Sequence, residues 1–102
     1  MRVYISGPMS GYPDLNFPSF HEAAAKLRAL GHEVVNPAEL GEHADWQWAD
    51  YLKRDLKVLL DCDAVYALAG WRDSKGASIE CDVAIRLGML VFENLIDERR
   101  AA

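Results

Sequence analysis

Glu80 lies in the stretch SKGASIECDVAIRLG, Ser74 to Gly88, directly after an apolar run, DAVYALAGW. A carboxylate placed where a buried strand hands over to a helix, among glycine, alanine and serine, has two readings. It is a first-turn acid that steadies the helix, or it is the group that does chemistry. In the first turn the helix dipole favours the anion. An ionised carboxylate in a crevice attacks an electrophilic sugar carbon or stabilises an oxocarbenium ion. That chemistry needs a second carboxylate to handle the leaving group or hold the sugar. Asp55, in KRDLKVLLDCD, is the candidate, although its neighbours Lys53, Arg54 and Lys57 also suit a solvated helix face. Asp61 and Asp63 flank the amino end of the next strand, away from the expected crevice. Tyr4, in the first apolar run, either brings its hydroxyl to a carboxylate near the strand ends or is a plain core aromatic.

These groups need elements to hold them. RVYIS reads as a strand stopped by GPMSGYPD. NFPSFHEAAAKLRALG has apolar residues at helical spacing, Phe17, Phe20, Ala24, Leu27 and Leu30. Ser19 and Glu22 have capping-box spacing, with Asn16 as the other candidate cap, and Gly31 suits the C-terminal end. HEVVNP is a second strand. Asp45 is expected to cap a helix over WQWADYLKRDLKVLLDC whose apolar face carries Trp48, Tyr51, Leu52 and Leu56. DAVYALAG, SIECDVAIRLG and MLVFE follow as strand, helix and strand. The tail NLIDERRAA is polar, and is expected to fray or to cover a neighbour.

Strand and helix alternating with short connections imply a parallel sheet with right-handed crossovers. The expected fold is α/β: one domain over residues 1–102, a minimal doubly wound, flavodoxin- or Rossmann-like sheet of four strands in the order 2-1-3-4, with three helices. Ligands of such sheets lie beyond the carboxyl ends of the strands, at the switch in strand order. That places Ser6, Gly7, Pro8, Met9, Ser10 and Gly11 at the site, then Asn36, then Gly70, Trp71, Ser74 and Gly76. Small residues let a ligand approach the backbone. SGPMSG is neither a P-loop nor GxGxxG, and a tight turn explains it equally well. The amides of SKGAS and its helix dipole suit a phosphate, with Ser74 and Ser78 adding hydroxyls. Trp71 is a candidate lining for a base pocket. Trp46 and Trp48 read as packing, and the three histidines show no metal spacing.

The 102 residues carry a net charge of -5, with 51% hydrophobic and 26% charged. A core can form, but a chain of this size buries its surface only marginally, so a homo-oligomer, dimer or higher, is expected. An acidic chain is a poor nucleic-acid binder and has no attraction to an anionic membrane. Neither excludes a small phosphorylated ligand. Cys62 and Cys81 fit free, buried thiols. Without a leader-like start or an apolar run near the ~20 residues of a membrane span, the cytoplasm is the expected compartment.

Taken together, VYISGPMSG, VVNPAE, RDLKVLLDCDAVYALAGW and SKGASIECDVAIRLG resemble the nucleoside 2-deoxyribosyltransferase-like superfamily. More closely they resemble its small phage and bacterial branch, catalogued as a domain of unknown function and DUF4406-like. The resemblance implies cleavage of the N-glycosidic bond of a 2-deoxynucleoside or its 5'-monophosphate. Deoxyribose then passes to another base or to water, with no cofactor or metal. It implies Glu80 as the nucleophile on C1', Asp55 as the group that helps with base and sugar, and Tyr4 as the residue that orients the nucleophile. Ser74, with Gly76 and Ser78, would contact a 5'-phosphate. The chain departs from the hydrolase branch at Ser10, where that branch has an arginine, and at Cys81. The rival expectation is a module of the same fold that binds a nucleotide, sensing or sequestering it, without cleaving it.

Overall fold

The even and odd residues of the first strand go to different faces, and the molecule is organised around that division. A computed structural model describes residues 1–93; the tail NLIDERRAA and the expectation attached to it lie outside the described residues. Strands β1 (Arg2–Ser6), β2 (Glu33–Val35), β3 (Ala64–Ala67) and β4 (Leu90–Phe92) pair in parallel in the order β2-β1-β3-β4. Helices α1 (Phe17–Ala29), α2 (Trp48–Leu59) and α3 (Lys75–Arg86) alternate with them. This is the doubly wound α/β fold that the sequence implies.

The chain leaves β1 in one direction to reach β2, and leaves β3 in the other to reach β4. With crossovers of one hand, that reversal puts helices on both faces. Accordingly Val3 and Ile5 pack with Phe20, Ala24 and Leu27 of α1. Tyr4 packs on the other face, in a cluster with Leu59 at the end of α2 and with Cys81 and Ala84 of α3. Register aligns Tyr4 with Val65 and Ser6 with Ala67, and all four are buried. Two side chains of β1, Tyr4 and Ser6, are thereby directed towards α3 by strand periodicity alone.

Several helix ends differ from expectation. The Ser19–Glu22 box lies inside α1, which already begins at Phe17 with Pro18 in its first turn. Proline is tolerated there because its missing N–H would be unpaired in any case. Asn16 precedes the helix, but its amide donates to the Pro8 carbonyl (2.8 Å) and does not cap. Asp14, Leu15 and Asn16 are consecutively left-handed, at φ 52°, 53° and 61°. That conformation costs ~1–2 kcal/mol for each non-glycine residue, and nothing in the sequence announced it. Asp45 does not cap α2. The helix starts three residues later, after Gln47, whose backbone N–H donates to Asp50 Oδ2 (2.9 Å). Gly31 does follow α1, at φ 92°.

Candidate active site

Glu80 is the sixth residue of α3, and so lies in its second turn. The first-turn dipole argument therefore does not apply to it. It faces the sheet, 5% exposed, and meets the two side chains that β1 sends to that face. Ser6 Oγ donates to Oε1 at 2.7 Å, and Tyr4 OH donates to Oε2 at 2.8 Å. Burial pushes the carboxyl up to about 7, against the pull of the Ser6 and Tyr4 hydrogen bonds, and the nearby Asp55 charge adds to the rise. The expected ready anion is replaced by a group that exchanges its proton near neutrality. Tyr4 is held well above its ordinary value, first by burial and then by the charges of Glu80 and Asp55, so it remains a donor. Each carboxylate oxygen has two lone-pair sites, so one donor apiece leaves each oxygen a free site.

Glu80 and Tyr4 open onto a cavity of about 600 Å³ beyond the carboxyl ends of the strands. Asp55, on α2, lines the same cavity. Its carboxyl is raised by burial, and the hydrogen bond and charge of Arg54 oppose that rise. The structure thus brings Glu80, Asp55 and Tyr4 to one place. Burial raises both carboxyls, and among the described residues only Asp55 has a cation, Arg54, opposing that rise. Cys81, adjacent to Glu80, is wholly buried, and its thiol is pushed up to about 11, chiefly by burial, so it is inert as a nucleophile. Among the described residues no cluster of three or more His, Cys, Asp or Glu side chains is arranged to hold a metal, and no helix is long and apolar enough to cross a membrane.

The loop residues separate into two groups. Gly7, Pro8, Met9, Ser10, Gly70, Ser74 and Gly76 line the cavity. Ser6 lies behind it as a donor to Glu80, a more specific position than its place in a turn suggested. Gly7 has a further reason to be small: a Cβ there would lie 2.7 Å from that of Leu68. Ser74 caps α3, its hydroxyl accepting from the Ala77 N–H (3.2 Å).

Gly11, Asn36, Trp71 and Ser78 are not among the lining residues. Asn36 is buried and structural, its Oδ1 accepting from the Ala38 N–H (3.0 Å) and its amide next to His21. Ser78 Oγ donates back to the Lys75 carbonyl (3.0 Å). Trp71 follows Gly70, which is left-handed at φ 87°, and its indole turns towards Glu93 at the end of β4. In its place Trp48 comes to the cavity, 44% exposed, with Lys75 Nζ 4.5 Å from its ring centroid. Tyr12, Leu15, Tyr51 and Arg54 line it too. The signal for Trp48 and Tyr51 was their place at the start of α2, the end that opens to the crevice; placing the helix start at Asp45 concealed it.

A family model described as "Domain of unknown function (DUF4406)" matches residues 1–93. Among solved structures, the fold is similar to a 2-deoxyribosyltransferase of Bacillus psychrosaccharolyticus, with a TM-score of 0.73 at 23% identity, over 91% of this chain and 71% of that one. It is also similar to a 2-deoxyribosyltransferase of Leishmania mexicana, with a TM-score of 0.69 at 18% identity, over 90% of this chain and 62% of that one. No curated protein matches the chain. At these identities the likeness establishes a shared fold, and the chain spans about two thirds of those enzymes' length.

Proposed function

The chain belongs to the DUF4406 family, and we propose that it breaks the N-glycosidic bond of a 2-deoxynucleoside or its 5'-monophosphate. The observation that carries this reading is a buried carboxylate, Glu80, held by two hydroxyl donors at the edge of a cavity of about 600 Å³. That the similar folds are 2-deoxyribosyltransferases supports it.

In this reading a free lone pair of ionised Glu80 attacks C1' and the C1'–N bond breaks. The base leaves with the bonding electrons and takes a proton from solvent, which the acceptor returns when it loses its own proton in the second step. Water or the nitrogen of a second base then attacks C1', and Glu80 leaves as the carboxylate, giving retention overall. Tyr4 and Ser6 fix the nucleophile. Asp55 engages the base and the sugar. The Lys75 ammonium and the first-turn amides of Lys75 and Gly76 are available to an anionic 5' substituent. No metal or organic cofactor enters these steps.

The test is base release from a panel of deoxynucleosides and their 5'-monophosphates, with and without an acceptor base. The native protein is expected to release or exchange base, and Glu80→Gln to lose that activity by at least ~10³-fold while keeping its fold. Near-native turnover by Glu80→Gln would reject the assignment. A second reading, nucleotide binding without cleavage, is favoured by the near-complete burial of Glu80, which is also how a structural acid is held. It predicts a thermal shift with one nucleotide and no product over hours.

A further inference from the structure

Adjacent residues on a helix do not face each other, yet Arg54 and Asp55 pair, Nε donating to Oδ1 at 3.1 Å. The segment between β2 and α2 bends the arginine round. Nη1 of Arg54 donates to the carbonyls of Gly41 (2.7 Å) and Leu40 (3.4 Å). The guanidinium carbon lies 5.5 Å from the ring centroid of Trp46 and 5.3 Å from that of Tyr51. The segment is itself fastened to α2. Tyr51 OH accepts from the His43 N–H (2.8 Å) and donates to the His43 carbonyl (2.9 Å), and the His43 ring stacks on Trp46 at 3.9 Å. Carbonyls and aromatic rings thus converge on one guanidinium.

Exposed ion pairs contribute little, but these side chains are only 20% and 14% exposed. Oδ1 of Asp55 is occupied by Arg54. Oδ2 has no hydrogen-bond partner among the described residues, and Asp55 lines the cavity. We propose that Arg54 is a positioning residue: clamped by residues 40–46, it fixes the Asp55 carboxylate as an anion whose free oxygen is presented to the ligand. The proposal rests on the reading of Asp55 as a substrate-binding group.

The charges around Asp55 explain why a clamp is needed. Glu80 on α3 and Tyr4 on β1 are close enough to feel the Asp55 charge. Glu42, Asp73 and Lys75 line the same cavity. Without Arg54, Lys75 alone among these would oppose the acids, and burial would drive Asp55 towards its neutral form. A neutral carboxyl rotates and offers a donor where an acceptor is required.

The test is the carboxyl titration of Asp55, followed by carbon-13 NMR in the native protein, in Arg54→Gln and in Arg54→Lys. Arg54→Gln is expected to raise the Asp55 midpoint by about one pH unit. Arg54→Lys keeps the charge without the fork, and is expected to move it the same way by less. An unchanged midpoint in a folded variant would overturn the proposal; if Arg54→Gln does not fold, Arg54→Lys decides alone. The titration needs no substrate, so failure of the glycosidic reading leaves it intact. If the native protein does release base, Arg54→Gln should lower kcat/KM about tenfold at pH 6 but change it less than twofold in an Asp55→Asn background. An equal loss in both backgrounds would mean that Arg54 acts through the fold and not through Asp55.

Discussion

Glu80 and Asp55 are carboxylates beside one cavity, held in opposite ways. Glu80 takes its hydrogen bonds from two neutral hydroxyls on a strand and has no cation against it among the described residues. Asp55 takes its bond from a guanidinium anchored in a loop. A cation neutralises as well as orients. Hydroxyl donors orient and leave the charge in place, so Glu80 keeps its nucleophilic lone pairs at the cost of a proton affinity near neutrality. Asp55 gains a fixed anion and gives up one oxygen. The contrast assigns attack to Glu80 and recognition to Asp55.

Charge-removing variants at the two sites should therefore differ in degree. Glu80→Gln should abolish base release, whereas Asp55→Asn should leave ~1–10% of native kcat/KM, measured side by side on one substrate. Equal losses would erase the distinction.

The next largest effect concerns stability. The folded Glu80 binds its proton more tightly than the unfolded chain does, about 7 against an ordinary 4.5. Its contribution to stability is therefore full below about pH 4.5 and is lost as the pH rises through about 7. The loss amounts to roughly 3 kcal/mol as an order of magnitude. Urea unfolding at pH 5 and pH 8 should show this slope in the native protein and not in Glu80→Gln. A slope that survives the substitution would assign it to another group.

Smaller still are the donors. Tyr4→Phe and Ser6→Ala each remove one hydroxyl from the carboxylate, so each should move the acid limb of the pH–rate profile upward from about pH 7. Each should also cost ~1–3 kcal/mol at pH 8, where Glu80 is ionised and left short of a partner. A downward shift would mean that the hydroxyls serve the neutral acid.

The parts of this arrangement that were legible in the sequence are those set by local pattern. The apolar run stopped by glycine and proline marks β1, and strands alternating with helices over short connections imply the parallel sheet. The misread parts depend on contacts between distant segments. Gly7 lines the cavity as expected, but the sequence did not show that Leu68 also leaves no room for a Cβ there. Trp71 looked like a pocket wall, but the left-handed Gly70 turns the chain so that its indole reaches β4. Trp48 looked like packing because the helix start was placed at Asp45. Arg54 looked like part of a solvated face, since the loop that clamps it is joined only through the aromatic rings and carbonyls of the folded chain.

The most direct test of the central claim is to quench the native protein during turnover of a deoxynucleotide and determine the mass of the peptide that carries Glu80. The account predicts a deoxyribosyl adduct on Glu80, absent from Glu80→Gln. Base released at full rate with Glu80 unmodified, and an equally active Glu80→Gln, would contradict it.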